Sequence, residues 1–404
     1  MNKLSQELET RGFIHQHTFS DILKLNESPI TFYWGVDPSA DSMTIGNLAP
    51  AMMIKHFLQH GHKAVLLVGG ATGLIGDPDG KKQERELKDV NNIAQNKQAI
   101  VDQYNAIFDG LDFTVVDNYD WFAHIHYMDF LRDIGKHIPM SSMLDREFVK
   151  SRLGEQGSGI SYAEFSYSLI QGYDFLHLFR EHGVTLQLSG ADQWGNCLSG
   201  VEMIRKLEGA EANVLTMPLI VNKTTGAKFG KSEDGAVWLD PQKTSVYEFY
   251  QWWRNVGDAD VADYLKIFTM MPLEGIDALL AEFTGNEAAR TAQKALAYEV
   301  TKTVHGTAQV DAAVAVTDVL FGNLSVDQLT NEQSEMLATQ IPTTAAGDLS
   351  RILLTSGIAS SNSEVRRLLS AGSVTVNGQK VAETCTVTAP SLIKKGKNTF
   401  VYVQ

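Results

Sequence analysis

The chain has 404 residues, of which 44% are hydrophobic and 20% are charged. This composition is that of a globular protein, and the length indicates two or three domains. The net charge of −14 argues against a protein that binds nucleic acid over its whole surface. The apolar run at residues 64–68 is far too short to span a membrane, and the polar residues 1–12 do not read as a secretory signal.

The two cysteines, Cys197 and Cys385, are far apart and lack the spacing of a metal site. We therefore expect free thiols in a reducing compartment, with the cytoplasm as the location. The charge is uneven, because residues 345–404 carry seven Lys or Arg against three Asp or Glu. A small basic module on an acidic body suits an enzyme that meets RNA locally, although by charge alone a solvated basic surface is the simpler interpretation.

Predicted strands and helices alternate through the first half of the chain. Buried strands are predicted at 31–36, 63–68, 113–116 and 185–189, where apolar residues follow one another directly. Helical spacing of apolar residues predicts helices at 48–59, 92–108, 162–172 and 193–207. This order predicts an α/β, Rossmann-like domain, in which a parallel sheet has helices on both faces and ligands at the carboxyl ends of its strands.

The second half of the chain changes character. The pattern predicts a mainly helical domain over 221–325, a connector over 326–344, and a small α+β module over 345–404, which leaves 1–220 as the Rossmann-like domain. In the last module, Ser361 with Glu364 is a capping box for a helix at 362–371. A hairpin follows, because Asn377-Gly378 is a type I′ turn signal between two short strands.

Residues 228–232 read Lys-Phe-Gly-Lys-Ser. Two lysines three residues apart, on a loop with a glycine, can neutralise charge on a triphosphate and its leaving group. A Walker A loop is excluded, because Gly226 and Gly230 are separated by one residue fewer than the two glycines of that motif. Taken alone, the segment is better explained as an exposed loop with ordinary lysines.

Residues 44–47 read Thr-Ile-Gly-Asn where the first strand feeds a helix. Thr44 and Asn47 can donate hydrogen bonds to phosphate oxygens, as can the N–H groups of the helix start, and Gly46 lets a nucleotide approach the backbone. The structural alternative is a helix start with Thr44 or Asn47 as a cap.

Tyr167, Gln171 and Asp174 are spaced by four and three residues on one predicted helix, so they share a face. By spacing alone, this could be the polar outer side of an amphipathic helix.

In their order along the chain, these segments resemble the bacterial-type tyrosyl-tRNA synthetase family, class I aminoacyl-tRNA synthetases with a C-terminal S4 RNA-binding domain. The matching stretches are 33–47, 69–78, 167–174, 190–196, 228–232 and, for the S4-like module, 363–378. Residues 228–232 correspond to the mobile KMSKS-type signature loop. Residues 44–47 correspond to the HIGH tetrapeptide, with Thr44 and Asn47 in place of its two histidines.

The resemblance implies roles for individual residues. Thr44, Asn47, Lys228, Lys231 and Ser232 would be catalytic. Tyr33 and Asp174 would meet the hydroxyl of tyrosine, and Tyr167, Gln171 and Asp77 its ammonium group, with Gln193 nearby. ATP would be bound by Gly35, Asp37, Gly46, Asp192 and Lys231. The tRNA would be contacted by Lys81, Lys82, Arg85, Arg366 and Arg367.

The implied reaction has two steps: tyrosine attacks ATP to give tyrosyl-adenylate and pyrophosphate, and the adenylate then esterifies tRNA(Tyr). Mg²⁺ would be carried on the ATP phosphates, with no separate protein metal site. A cytoplasmic homodimer with an interface around residues 130–143 is expected, without contact with a membrane. Three alternatives stay open: the tryptophanyl enzyme of the same fold, an RNA-binding protein derived from a synthetase, and an unrelated nucleotidyltransferase.

Removal of everything after Thr344 tests the modular organisation. We expect the shortened chain to keep adenylate formation and to lose most tRNA charging, because the basic module would touch only RNA. Pyrophosphate exchange and aminoacylation, measured on the same preparation, separate the two steps; equal loss of both would contradict independent modules.

Overall fold

A six-stranded sheet forms the centre of the first half of the chain. The structure is a computed structural model, and it describes residues 3–78, 90–144, 147–153, 157–223, 226, 229, 231–232 and 235–404. The chain divides into two units. One comprises Met1–Thr244 and Trp253–Val304, and the other Ser245–Trp252 and His305–Gln404.

The strands are β1 Gln16–His17, β2 Thr31–Val36, β3 Lys63–Val68, β4 Phe113–Asp117, β5 Leu186–Gly190, β6 Asn213–Met217, β7 Lys231–Ser232, β8 Gly235–Ala236, β9 Thr343–Thr344, β10 Gly347–Asp348, β11 Val374–Val376, β12 Gln379–Lys380, β13 Thr386–Val387, β14 Ser391–Lys395 and β15 Thr399–Val403. The helices are α1 Leu4–Arg11, α2 Ile45–Gln59, α3 Thr72–Ile75, α4 Val90–Ile107, α5 Tyr119–Phe122, α6 Tyr127–Asp133, α7 Met140–Leu144, α8 Glu147–Leu153, α9 Tyr162–His182, α10 Trp194–Glu208, α11 Val246–Arg254, α12 Val261–Phe268, α13 Leu273–Phe283, α14 Thr291–His305, α15 Thr307–Phe321, α16 Asn331–Gln340, α17 Leu349–Thr355 and α18 Asn362–Ser370.

The central sheet has the order β1-β6-β5-β2-β3-β4, and the five strands from β6 to β4 are parallel. The short β1 pairs antiparallel with β6, which the sequence did not indicate. From β2 the chain builds outward through β3 to β4, and it then returns to place β5 on the other side of β2. The carboxyl ends of β2 and β5 therefore form a topological switch point, where parallel sheets bind ligands.

Both faces of the sheet are covered by helices, as predicted. On one face, Phe32 packs on Phe57 of α2 and Trp34 on Tyr104 of α4, with ring centroids 5.1 and 5.5 Å apart. Between them, Tyr33 points to the opposite face and contacts Phe175 of α9. This alternation is the period of two that a strand imposes, and the predicted Rossmann-like fold class is confirmed.

Two predicted helix boundaries are wrong. The helix predicted at 48–59 begins at Ile45, since Thr44 has the extended backbone of an N-cap. The helix predicted to end at Gly172 continues to His182 and ends at Gly183, whose φ of 64° is left-handed.

Gly172 is needed for close packing instead of helix termination. A Cβ added there would lie 2.9 Å from the Met203 side chain, and one added at Gly200 of α10 would lie 2.6 Å from Cβ of Phe175. Helices α9 and α10 thus approach to a distance that only glycine permits.

The second unit contains the basic module. Ser361 caps α18 by accepting from the Glu364 N–H at 3.2 Å, but the Glu364 carboxylate accepts from the N–H of Ser360 instead of closing the predicted box. Asn377 and Gly378 have φ of 47° and 78°, as the predicted hairpin turn requires. Residues 326–344, predicted as a connector, include α16 and β9, and β9 pairs parallel with β15. Within the described ranges, no helix combines the length and apolar content needed to cross a membrane.

Gly200→Ala tests the helix contact. We expect the free energy of unfolding to fall by about 1–3 kcal/mol, because the new methyl group overlaps Phe175. Gly195 lies on the same helix with nothing within 4 Å of an added Cβ, so Gly195→Ala should raise the stability by roughly 0.5–1 kcal/mol. Urea unfolding measures both, and equal effects would mean that the contact is not limiting.

Candidate active site

A cavity of about 630 Å³ opens at the carboxyl ends of β2, β3, β5 and β6. It brings together twelve residues that the sequence singled out, from segments as far apart as β2 and the residue before α10: Tyr33, Gly35, Asp37, Thr44, Gly46, Asn47, Asp77, Tyr167, Gln171, Asp174, Asp192 and Gln193.

One wall of the cavity carries Tyr33 and Asp174. Asp174 is only 1% exposed, and its two oxygens accept hydrogen bonds from Trp121 Nε1 at 2.9 Å and Asn118 Nδ2 at 3.1 Å. Burial raises the pKa of Asp174 well above its usual range, and these two donors oppose that shift. Burial also raises the pKa of Tyr33, so its hydroxyl is neutral. The wall therefore pairs a buried carboxyl group with a neutral hydroxyl group.

Unpaired polar atoms mark the same cavity. Tyr33 Oη, Gln171 Oε1 and Gln187 Oε1 are buried and have no hydrogen-bond partner in the part of the chain that the structure describes. Because an unsatisfied buried polar atom is costly, three of them around one cavity favour a polar ligand that supplies the missing bonds.

Acidic groups gather on a second side of the cavity. Asp37 accepts from Thr72 Oγ1 at 2.6 Å and from Tyr167 Oη at 2.7 Å, which ties the end of β2 to α3 and α9. Asp77 accepts from Gln193 Nε2 at 2.6 Å. Carboxylates beside acceptor oxygens suit a cationic group such as an ammonium ion.

Gly69 makes the Asp37 contact possible. A Cβ at this position would lie 2.2 Å from both Asp37 Oδ1 and Thr72 Oγ1. Any side chain there would displace the bonded pair.

At the start of α2, the capping alternative is realised. The Thr44 N–H donates to Asn47 Oδ1 at 3.0 Å, and Thr44 Oγ1 lies 3.2 Å from the same oxygen. The amide oxygen of Asn47 is therefore occupied, and Nδ2 is the group that it can offer to an anion. Thr44 can donate its hydroxyl to a phosphate only by giving up the contact with Asn47. Asn47 can therefore cap the helix and bind an anion at the same time, whereas Thr44 can do only one of the two with its hydroxyl group.

Four site residues were missed by sequence reasoning: Thr72, Asn118, Trp121 and Gln187. Asn118 and Trp121 follow β4. The predicted parallel sheet already indicated that ligand-binding side chains lie after the carboxyl ends of its strands. Gln187 is a polar residue in the otherwise apolar start of β5 and is 3% exposed. A lone glutamine in a buried strand was the available signal.

Other predicted site residues cannot be placed in the cavity. Lys81, Lys82, Arg85 and Lys228 lie outside the described residues, and so do the side chains of Lys231 and Ser232, whose backbone forms β7. Arg366 and Arg367 are exposed on α18 in the second unit. Among the described residues, no group of three His, Cys, Asp or Glu is arranged to hold a metal ion.

Family comparisons agree with the predicted resemblance. The family model described as tRNA synthetases class I (W and Y) matches residues 25–322, and that of the S4 domain matches residues 349–383. A tyrosine–tRNA ligase of Pectobacterium carotovorum is 43% identical over 391 residues, which cover 95% of this chain and 92% of the relative.

Solved structures agree as well. A C-terminally truncated mitochondrial tyrosyl-tRNA synthetase of Aspergillus nidulans is 30% identical and superposes with a TM-score of 0.70, over 78% of this chain and 92% of that one. A tryptophan-bound tryptophanyl-tRNA synthetase of Encephalitozoon cuniculi is 14% identical with a TM-score of 0.56, over 83% of this chain and 92% of that one, which shows the shared fold alone.

Trp121→Phe tests the hydrogen bond to Asp174, because it removes the Nε1 donor and keeps a ring beside His177. We expect the free energy of unfolding, measured at a pH where Asp174 is ionised, to fall by about 1.5–3 kcal/mol, the worth of a hydrogen bond to a charged group. Loss of the donor also raises the pKa of Asp174 further. The stability loss should therefore shrink as pH falls and the carboxyl becomes protonated in both proteins.

Urea unfolding at a series of pH values measures this difference. The smaller ring contributes a packing loss that does not depend on pH. A difference that stays constant with pH would contradict the hydrogen bond to an ionised Asp174.

Proposed function

Because this chain belongs to the class I tRNA synthetases of the tryptophan and tyrosine (W and Y) family, we propose that it activates L-tyrosine with ATP and transfers it to the 3′ end of tRNA(Tyr). The observation that carries the choice of tyrosine is the buried pair of Tyr33 and Asp174 in one cavity wall. A phenolic hydroxyl can donate to the Asp174 carboxylate and accept from Tyr33 Oη, the group that has no partner within the described residues.

Selection against phenylalanine follows from burial. Phenylalanine would leave Asp174 and Tyr33 without the hydroxyl, and unsatisfied buried polar groups are costly. Tryptophan has only an N–H donor at its ring edge and cannot accept from Tyr33. Both rejections depend on buried polar groups more than on the volume of the cavity.

Tyr167, Gln171 and Asp77 would hold the ammonium group of the amino acid. Gln171 offers an unpaired Oε1, and Asp77 is kept in place by Gln193. Asp37, held by Tyr167 and Thr72, adds negative charge between this subsite and the nucleotide. With both ends of tyrosine fixed, its carboxylate is directed toward the nucleotide side of the cavity, which gains the rate advantage of positioning.

The first step needs no general base, because the attacking carboxylate is already ionised. Asn47 Nδ2, Thr44 and the N–H of Gly46 would contact the phosphates at the start of α2, whose dipole favours anions. Gly35 and Asp192 line the cavity and would face the nucleotide. Lys228, Lys231 and Ser232 would stabilise charge on the leaving pyrophosphate, with Mg²⁺ arriving on the ATP phosphates as part of the substrate.

In the second step, a ribose hydroxyl of the terminal adenosine attacks the adenylate. Phosphate contacts from Lys81, Lys82 and Arg85, and from Arg366 and Arg367 of the S4 domain, would hold the RNA. The location would be the cytoplasm, and the active form a homodimer. Exposed apolar side chains near residues 130–143 support that interface, since Met128 is 71% and Met140 59% exposed.

Amino-acid-dependent exchange of pyrophosphate into ATP tests the proposal. Tyrosine should support exchange, whereas tryptophan and phenylalanine should not. Exchange with tryptophan only, or with none of the three, would overturn it.

Tyr33→Phe refines this test. We expect kcat/KM for tyrosine to fall about 2- to 12-fold, the equivalent of one neutral hydrogen bond, with KM for ATP unchanged. Tyr104 is the matched control, because its hydroxyl is also buried and unpaired within the described residues but does not line the cavity. Tyr104→Phe should leave kcat/KM unaltered, and equal losses in the two variants would remove Tyr33 from the ligand wall.

A further inference from the structure

The chain segment that leads into the signature loop is attached to one face of α12. The Lys223 N–H donates to Asp260 Oδ1 at 2.8 Å, and Lys223 Nζ lies 2.6 Å from Asp263 Oδ2. Asp260 is the residue before α12 and is 1% exposed. The start of the loop is therefore fixed at the beginning of this helix by a backbone contact and an ion pair.

Phe229, the aromatic residue between the two loop lysines, makes the second attachment. Its ring stacks on Phe268 at 4.9 Å and meets Tyr264 edge-on at 5.0 Å, and Trp253 of α11 lies 5.7 Å away. We call these three rings the aromatic socket. Phe229 is 8% exposed, so its side chain is buried, unlike that of a phenylalanine on an ordinary surface loop.

Asp260, Asp263, Tyr264 and Phe268 are spaced by three, one and four residues, so they form a single stripe along α12. The backbone of Phe229 is also fixed, because its N–H donates to the carbonyl oxygen of Ile220 at 3.0 Å. Phe229 at the same time lines the cavity. It thus belongs both to the socket and to the wall of the candidate active site.

The C-terminal end of α12 is held by α1. The Arg11 guanidinium, 3% exposed, donates to the carbonyl oxygens of Lys266, Thr269 and Met271 at 2.9, 3.2 and 2.7 Å. Glu7 balances the buried charge by accepting from Arg11 Nε at 3.1 Å. The helix that carries the socket is consequently fixed to the N-terminal helix.

We propose that Phe229 is a positioning residue for the activation step. Its ring, seated in the aromatic socket, sets where Lys228 and Lys231 present their charge to the ATP phosphates. Lys228 immediately precedes Phe229 and Lys231 follows two residues later, so a displaced ring moves the backbone that carries both. This inference rests on the proposed function, because it assigns Phe229 a task within the same reaction.

Phe229→Ala, which empties the socket, should slow formation of tyrosyl-adenylate in a single turnover by about 10- to 100-fold, since small displacements of catalytic groups cost that much. Tyrosine affinity should stay unchanged, because the pocket of Tyr33 and Asp174 does not touch the socket. Phe229→Met should recover most of the rate, because methionine is flexible and packs well against aromatic rings.

Phe283 provides the matched control for lost stability. It is a buried phenylalanine of α13, 7% exposed, outside the socket and the cavity. Phe283→Ala should lower the unfolding temperature and leave the single-turnover rate of the folded enzyme unchanged. A loss of rate as large as that of Phe229→Ala would reduce Phe229 to a structural role and overturn the proposal.

Combining Phe229→Ala with substitutions of the two loop lysines shows whether Phe229 acts through those lysines or independently of them. In a chain that already carries Lys228→Ala and Lys231→Ala, Phe229→Ala should cost much less than its 10- to 100-fold in the parent, because the groups that it positions are gone. An undiminished cost in that background would overturn the proposal. The outcome is distinguishable from failure of the proposed function, since that failure removes tyrosine-dependent exchange from the parent chain itself.

Discussion

Burial of Asp174 is the constraint on which the site depends. A carboxylate that is 1% exposed is unfavourable unless donors surround it, and the chain supplies these from Asn118 and Trp121 after β4. Neither donor is among the residues that line the cavity, whereas Asp174 and Tyr33 both line it. In the proposed function, the same burial makes the pair discriminating, because a ligand without a polar group at this place leaves the buried Tyr33 hydroxyl unsatisfied.

The sheet and the α9–α10 contact place that carboxylate. Tyr33 points to the α9 face because β2 alternates its side chains, and Asp174 reaches the same cavity because Gly172 and Gly200 let α9 pack closely against α10. On the other side, Asp37 ties the end of β2 to α3 and α9 through Thr72 and Tyr167. The end of β2, α3 and α9 are therefore linked by hydrogen bonds around the proposed amino-acid pocket.

The proposed nucleotide side of the cavity is held differently. The start of α2 supplies donors that are partly committed to the helix cap, as at Thr44 and Asn47. In our proposal, the loop lysines depend on α12, because Phe229 sits in an aromatic socket there. A rigid pocket for the amino acid and a separately anchored loop for the phosphates suit a reaction in which the substrate is held throughout and charge develops only on the leaving group.

The sequence by itself determined the alternation of strands and helices, the parallel sheet, and twelve of the residues that meet in the cavity, because buried strands, strand-end polar residues and helical spacing are local patterns. It also determined the family, through short segments in a fixed order. Only the tertiary structure decided that Gly172 is a packing site within a longer helix, because the neighbour that excludes a side chain there, α10, lies on another part of the chain.

In the same way, the donors to Asp174 come from residues more than fifty positions away, and the socket for Phe229 from α11 and α12. Local patterns predict which face of an element is buried, but the partner that meets a buried polar group or an aromatic ring is set by long-range packing.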